Sequence, residues 1–456
     1  MIGLTRWPKV EDLRAKLNGK AKARPKYRFY SLYDKVYRKD FLEASFAQCR
    51  ANDGAPGVDG KSFADIEAYG VDRYLEELAD ELKRRRYQPA AVRRVMIEKE
   101  DQPGQYRPLG IPTIRDRVVQ QVVKLLLESI FETDFTDNAY GYRAGRSAQD
   151  AVKDVDRGLR ERYVNVVDGD LSKYFDTIPH EALMQSVERR IADRKVLGLI
   201  RSWLKVPVQE TTASGKTVIS GGKKTKAGTP QGGVISPLLA NIYFRRFLIA
   251  WRAFGYERKY EARIVNYADD FVILCRKPAH AAYEAARDLL TRLGLKLNVK
   301  KTRVVRAWQT SFDFLGYTFG VMHTRNGREC LGKRPSKKNV QRYREGVRQL
   351  TGRSQTWKDA ATVAKALNGQ TQGFWAYFNL GATNKERGTL DRYLGKRMYI
   401  WAKSKYTTPR RKKRHSSGPA DRWRKIRAAL ALVRPSKDLK PWRGGELFAS
   451  AASYAQ

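Results

Sequence analysis

Apolar and polar positions recur with different periods along this chain, and the changes of period mark its elements. Leu75, Leu78 and Leu82 fall at helical spacing within residues 71–87, which end on Lys83-Arg84-Arg85-Arg86. Cations at a helix C-terminus suit the macrodipole, so this run does not by itself call for a ligand. Val92 to Ile97 and Tyr106 to Ile111 flank Asp101-Gln102-Pro103-Gly104 and read as a hairpin. Arg115 to Glu132 reads as a long helix, with Val118, Val119, Val122, Val123, Leu126 and Ile130 on a broad apolar face. Ser147, with Asp150 three residues on, reads as a helix N-cap. Val164 to Leu171 is a β-rich run that ends in acid, and an apparent helix follows Pro179. Ile264-Val265, with Tyr267 in phase, and Phe271 to Leu274 are two β-prone runs across a tight polar pair. That pattern predicts a hairpin with Asp269-Asp270 at its turn. Phe312 to Tyr317 reads as a strand with a close-approach glycine at Gly316. Beyond about residue 333 the period is helical: Ser336 to Leu350, Trp357 to Leu367, and Leu390 to Trp401.

Charge adds what periodicity cannot. The chain of 456 residues carries 90 Lys and Arg against 48 Asp and Glu, a formal net charge of +42. Such an excess implies a polyanionic partner, bound with counterion release and a steep salt dependence. No run of 18 apolar residues is present and no secretory leader precedes the first basic residues, so nucleic acid is expected rather than a membrane. Cys49, Cys275 and Cys330 are isolated, as are the four histidines, which excludes a disulfide framework and a Cys-x-x-Cys zinc site. A reducing cytoplasm is the expected setting. Residues 403–443 hold fifteen Lys and Arg against two Asp, densest at Arg410-Arg411-Lys412-Lys413-Arg414, with Trp423 and Trp442 interleaved. A solvated tail is the usual reading of such a run, but interleaved aromatic residues favour nucleic-acid contact. Residues 1–50 are also basic and aromatic and suit either an RNA-contacting arm or a packing helix.

The candidate chemistry centres on acid. An Asp-Asp hairpin taken alone is an ordinary turn. A strand delivering Asp170 beside Asp269 and Asp270 would make it a site for two Mg²⁺ ions. Mg²⁺ takes oxygen ligands, and a pair about 4 Å apart clamps both oxygens of a phosphoryl transfer. Lys99 and Arg107 lie on the first hairpin, where cations could meet a triphosphate or simply face water. Tyr140 to Ser147 is a Gly/Arg loop, read as a capped loop or as a phosphate contact through Arg143 and Arg146. In Gly228 to Pro237 the glycines allow close backbone approach, and Gln231 offers both donor and acceptor.

The order of these blocks (52–60, 97–112, 140–147, 164–176, 228–237, 264–275, 293–302 and 312–319) resembles that of reverse transcriptases encoded by bacterial group II introns. Gly373 to Phe378 and Trp401-Ala402-Lys403 resemble their thumb, or maturase, domain. The resemblance implies an α/β right-hand polymerase: fingers and palm with antiparallel sheet at 51–325, a helical thumb at 326–408, a basic N-terminal segment at 1–50 and a basic C-terminal extension at 409–456. It implies Asp170, Asp269 and Asp270 as ligands of two Mg²⁺ ions, and Phe175 as an aromatic gate beside the sugar 2′ position. It implies Lys99, Arg107 and Gln231 as residues that bind the incoming deoxynucleoside triphosphate. Expected partners are intron RNA, an RNA template with DNA primer, and target DNA, in a bacterial, nucleoid-associated setting. The oligomeric state stays open. The chain resembles the endonuclease-lacking type. Two alternatives stand beside RNA-directed DNA synthesis with assisted splicing: a splicing cofactor with vestigial polymerase activity, and a reverse transcriptase recruited to host defence or DNA repair.

Overall fold

The computed structural model describes residues 6–98, 104–211, 216–324, 326–381, 383–406 and 419–438. Two compact units make up the chain. One comprises Met1–Arg146, Gly169–Phe271 and His280–Thr302, and the other Ser147–Asp168, Val272–Ala279 and Arg303–Gln456.

The first unit is built around the helix Ile114–Phe131, as its apolar face predicts. Thr113 caps it, its hydroxyl accepting from Asp116 N–H, and Val118, Val119, Val122, Val123, Leu126 and Ile130 are all buried. Asp116 is buried too and is satisfied there by Tyr87 Oη at 2.7 Å, Thr113 Oγ1 at 2.8 Å and Ala90 N–H at 3.1 Å. The Asn52–Gly60 loop is stitched to this helix start. Arg117 donates to the carbonyls of Gly54 and Ala55, and a side chain at Gly57 would lie 2.7 Å from Thr113 backbone. Helices Pro8–Ala23 and Lys39–Ala51 also pack on Ile114–Phe131.

The predicted first hairpin forms from Val92–Glu98 and Tyr106–Ile111, antiparallel, with Ile97 opposite Arg107. Two strands that alternation did not reveal extend it: Pro207–Thr211 pairs in parallel with Val92–Glu98 and then carries Thr217–Gly221. The helix Ser236–Ala253 presents Phe244 and Phe247 to Phe271, with ring centroids 5.9 and 5.6 Å away, and so backs the strand that leaves the acid turn. A further four-stranded sheet has the order Ala262–Tyr267, Asp270–Cys275, Asn165–Asp170, Arg303–Arg306.

In the second unit, Ser147 and Asp150 form the expected cap as a full capping box on Ala148–Arg160. Phe312–Phe314, Tyr317–His323 and Glu329–Pro335 make an antiparallel sheet. The helices Lys337–Leu350, Ala360–Tyr377, Asn384–Tyr406 and Pro419–Ala431 follow. The second of these starts later than Trp357 and runs on past Leu367. Asp359 caps it, and Gly369 and Gly373 sit within it with open space around them. Each glycine costs a helix roughly 1 kcal/mol, which burial of Phe374 and Trp375 offsets. Tyr317 Oη donates to Tyr377 O at 2.6 Å, and Tyr377 Oη donates to Leu315 O at 2.9 Å, tying sheet to helix. No helix among the described residues is long and apolar enough to cross a membrane.

Candidate active site

The acid turn forms where alternation predicts it, between Ala262–Tyr267 and Asp270–Cys275. Ala268 holds a left-handed φ of 58°, a strained conformation for a residue with a Cβ. Its neighbours enforce it. The buried Asn266 amide donates to Ala268 O at 2.8 Å and to Asp270 O at 3.3 Å, spanning the turn from within. Gly141 lies against it so closely that a Cβ would be 2.4 Å from Ala268 N. Asn241 Nδ2 donates to Gly141 O at 2.6 Å, Tyr140 N–H to Asn266 O at 2.9 Å, and Asn266 N–H to Asn138 O at 2.9 Å.

Asp170 ends the neighbouring strand of the same sheet. Gly169, one residue earlier, lies under the Phe271 ring, which a Cβ would meet at 2.5 Å. Asp170 is held by the segment after Leu297. Its carbonyl accepts from Asn298 N–H at 2.8 Å and its Oδ2 from Asn298 Nδ2 at 2.9 Å. Its N–H donates to Thr302 Oγ1 at 3.3 Å, and Oδ1 lies 3.4 Å from Lys301 Nζ. Burial raises the Asp269 carboxyl above the ordinary carboxylate range. The negative charge of Asp170 raises it further, against the opposing pull of its own N–H and of Lys301.

Around the acids stands an aromatic and polar wall. Phe175 is half-buried, edge-on to Tyr142 with ring centroids 6.4 Å apart and to Tyr174 at 5.7 Å. Tyr142 also has a positive φ, 56°. Burial and then the charges of Asp269, Tyr267 and Asp270 push its phenol up to about 12, and Arg107 opposes them. Gln231 is pinned on two sides. Its carbonyl accepts from Gly110 N–H at 2.6 Å, on the strand of Arg107, and its Nε2 reaches both Asp176 oxygens at 3.5 Å. Thr229 N–H donates to Phe175 O at 2.7 Å, and Gly228 N–H to Ile178 O at 2.9 Å. Gly232, at φ +101°, is required because a Cβ would sit 2.2 Å from Gly110 O.

Asp170, Asp269, Asp270, Phe175, Gln231 and Arg107 therefore belong to one unit, and Lys99 lies outside the described residues. Arg143 corrects an expectation. Its side chain is 3% exposed, paired with Glu132 at 2.7 Å and hydrogen-bonded to the carbonyls of Thr136 and Ala139. A guanidinium committed to loop carbonyls braces the Tyr140–Ser147 turn and has no face left for a phosphate. Arg146 is partly exposed and pairs with Asp137 at 2.9 Å. Arg410, Arg411, Lys412, Lys413 and Arg414 lie outside the described residues. Sequence reasoning missed Tyr142, Gly141, Asn266 and Asn298. Asn298 could have been found, since Asn298 to Thr302 is turn chemistry directly after an apolar run.

Among the described residues no three His, Cys, Asp or Glu side chains converge into a ready-made metal cage. The acids expected at the site, Asp170, Asp269 and Asp270, lie at the ends of two neighbouring strands. Two carboxylates close enough for the charge of Asp170 to raise the proton affinity of Asp269, with one exposed ammonium beside them, fit a hard cation. Mg²⁺ is commonly held by one or two carboxylates, with waters and substrate phosphates completing its shell.

The family described as Reverse transcriptase (RNA-dependent DNA polymerase) matches residues 97–319, which include every acid of the site. The family described as Group II intron, maturase-specific domain matches residues 340–418. Protein YkfC of Escherichia coli (strain K12) is 32% identical over 357 residues, 70% of this chain and 90% of that protein. The chain belongs to the group II intron reverse transcriptase–maturase family. The group II intron-encoded protein LtrA of Lactococcus lactis subsp. cremoris is 36% identical over 219 residues, 47% of this chain and 34% of LtrA. This chain thus spans about a third of LtrA. Nuclear intron maturase 1, mitochondrial, of Arabidopsis thaliana is 35% identical over 94 residues, 21% of this chain and 13% of that protein. As a group II intron reverse transcriptase–maturase, the chain is an RNA-directed DNA polymerase joined to a maturase domain. That family uses divalent metal ions, in keeping with the acid pair.

Proposed function

We propose that this chain copies an RNA template from a DNA primer at the Asp170–Asp269 pair, binds intron RNA, and assists splicing and mobility into target DNA. Residues 51–325 serve as fingers and palm, 326–408 as a helical thumb, and 1–50 and 409–456 as basic flanks. One observation carries the reading: Asp170 ends one strand while Asp269 sits in the turn that starts its neighbour in the sheet. Two Mg²⁺ ions held by Asp170, Asp269 and Asp270 would supply Lewis-acid stabilisation of the attacking and leaving oxygens.

The chain's own residues do the rest. Phe175, braced by two tyrosine rings, stands as the wall against which a ribose 2′-hydroxyl collides. Gln231, its main chain held by Gly110 N–H and its side chain near Asp176, lines the nucleotide pocket. Arg107, with Lys99, offers charge to the triphosphate. Buried Tyr174, Asn241 and Asn266 hold these groups in one arrangement before substrate arrives, which is where electrostatic catalysis gains most.

The test is primer extension with Asp170→Ala and with Asp269→Ala. Each variant is expected to lose extension by more than about 1,000-fold, on the scale of losing a transition-state electrostatic group. Melting temperature and RNA affinity should stay near those of the unaltered chain. Near-normal extension with Mg²⁺ by either folded variant would overturn the assignment.

A further inference from the structure

The segment Lys296 to Thr302 lies along the end of the Asp170 strand like a short antiparallel partner. Ser172 N–H donates to Lys296 O at 2.8 Å, Leu171 bridges Leu297, and Asn298 N–H donates to Asp170 O at 2.8 Å. Asp170 N–H returns a bond to Thr302 Oγ1 at 3.3 Å. Asn298 sits at the centre. Its side-chain carbonyl accepts from Lys300 N–H at 3.2 Å, and its main-chain carbonyl accepts from Lys301 N–H at 3.0 Å and Thr302 N–H at 2.8 Å. With the carbonyl end of the amide fixed in its own turn, the NH₂ end has one direction left, and it points at Asp170 Oδ2, 2.9 Å away.

We infer that Asn298 is a positioning residue for Asp170: its amide fixes one carboxylate oxygen so that the other is offered to a divalent cation. This rests on the reading that Asp170 holds such a cation. A carboxylate is free to rotate about its terminal torsion, and a free rotor must be ordered each time an ion binds. Here the ordering is done in advance by a residue distant in sequence but hydrogen-bonded to the same strand end. Oδ2 is engaged by the neutral amide, while among the described residues Oδ1 meets the ammonium of Lys301 alone, whose side chain is 61% exposed. An ion arriving at Oδ1 therefore displaces an exposed lysine tip and leaves the amide bond intact. Outer-shell partners of this kind typically change metal affinity about 10–100-fold when removed.

The experiment measures Mn²⁺ binding to the full chain by electron paramagnetic resonance, with a 3′-dideoxy primer–template and matching deoxynucleotide present so that no chemistry occurs. Asn298→Ala should weaken the ion about 10–100-fold. Asn298→Ser is the second variant, because its hydroxyl still accepts from Lys300 N–H but is too short to reach Asp170. It should weaken the ion to the same degree while keeping the turn, so the inference stays testable where Asn298→Ala fails to fold. Asp170→Ala with Asn298→Ser should bind no more weakly than Asp170→Ala alone, since the amide acts through that carboxylate. Unchanged Mn²⁺ affinity in a folded Asn298→Ser variant, or a loss that adds to that of Asp170→Ala, would overturn the inference. Unchanged affinity in Asp170→Ala would instead overturn the metal-ligand reading beneath it.

Discussion

Phe175 has little freedom where it stands. Tyr142 and Tyr174 meet it edge-on, and its carbonyl is tied to Thr229 N–H at 2.7 Å. Buried Tyr174 backs the ring on one side, and the exposed Tyr142 meets it on the other, so Phe175 can act as a wall against a hydroxyl. Phe175→Val keeps an apolar side chain but withdraws the outer half of the ring. Incorporation of ribonucleotides relative to deoxynucleotides should then rise about 10–100-fold, the range open to steric discrimination of a small group. Removing the two edge-on ring pairs costs about 1–3 kcal/mol, so the melting temperature should fall modestly. A stability loss with no movement in the sugar ratio would make Phe175 a packing residue alone. Arg143 shows the opposite fate of a residue singled out by type. A Gly/Arg loop reads first as a capped turn and second as a phosphate contact, and at Arg143 the partners Glu132, Thr136 and Ala139 favour the turn.

At the scale of elements, the acid hairpin depends on a loop from a distant part of the chain. Gly141 fits against Ala268 N and Tyr267 C with no room for a methyl group, since its Cβ would lie 2.4 Å and 3.0 Å from them. Both obstacles are backbone and cannot rotate aside. Gly141→Ala should displace the turn by a fraction of an ångström to an ångström. Extension should fall about 100-fold, as expected when reacting groups are misplaced by that much. Gly198, in the helix Arg194–Leu204 with nothing within 4 Å, is the control, and Gly198→Ala should stabilise by about 0.5–1 kcal/mol with activity unchanged. Equal activities of the two variants would mean that the turn tolerates displacement.

The same elements show what pattern reveals. Strands with clean alternation and helices with a broad apolar stripe were legible: the acid hairpin, Ile114–Phe131, and the Ser147 cap. Pro207–Thr211, Thr217–Gly221 and Arg303–Arg306 were not. Pro207–Thr211 is half-buried along most of its length and the other two are largely exposed, so hydrogen bonding to a neighbour forms them and no apolar period marks them. Asp170, Asp269, Asp270 and Phe175 stand out in the sequence as a succession of motifs, and all four lie in one unit. Asn298, Asn266 and Tyr142 do not stand out, because a supporting role appears only when distant segments are brought side by side.

For the whole molecule the dominant quantity is charge, +42 over 456 residues. The acid pair needs only a few cations nearby, so most of the excess must serve a longer polyanion. In the second unit, Trp357 is 77% and Trp423 53% exposed, the latter stacked on Tyr399 at 6.4 Å, and cations adjoin both. Exposed indoles beside Lys and Arg suit base stacking with phosphate contact. If binding and chemistry are carried by different parts, they should separate under mutation. Replacing Arg410, Arg411, Lys412, Lys413 and Arg414 with serine removes five positive charges. Should about three to five of them meet phosphates, the slope of log K against log salt falls by ~0.7–0.9 for each phosphate no longer neutralised. Affinity for structured intron RNA and assisted splicing should fall together. Extension on a short, saturating primer–template should hold, because Asp170, Asp269, Phe175 and Gln231 are untouched. Salt-titrated RNA binding paired with primer extension on the same preparation reads both halves. An unchanged salt slope would make the run a solvated tail, and a parallel loss of extension on the short substrate would mean that one surface serves both activities.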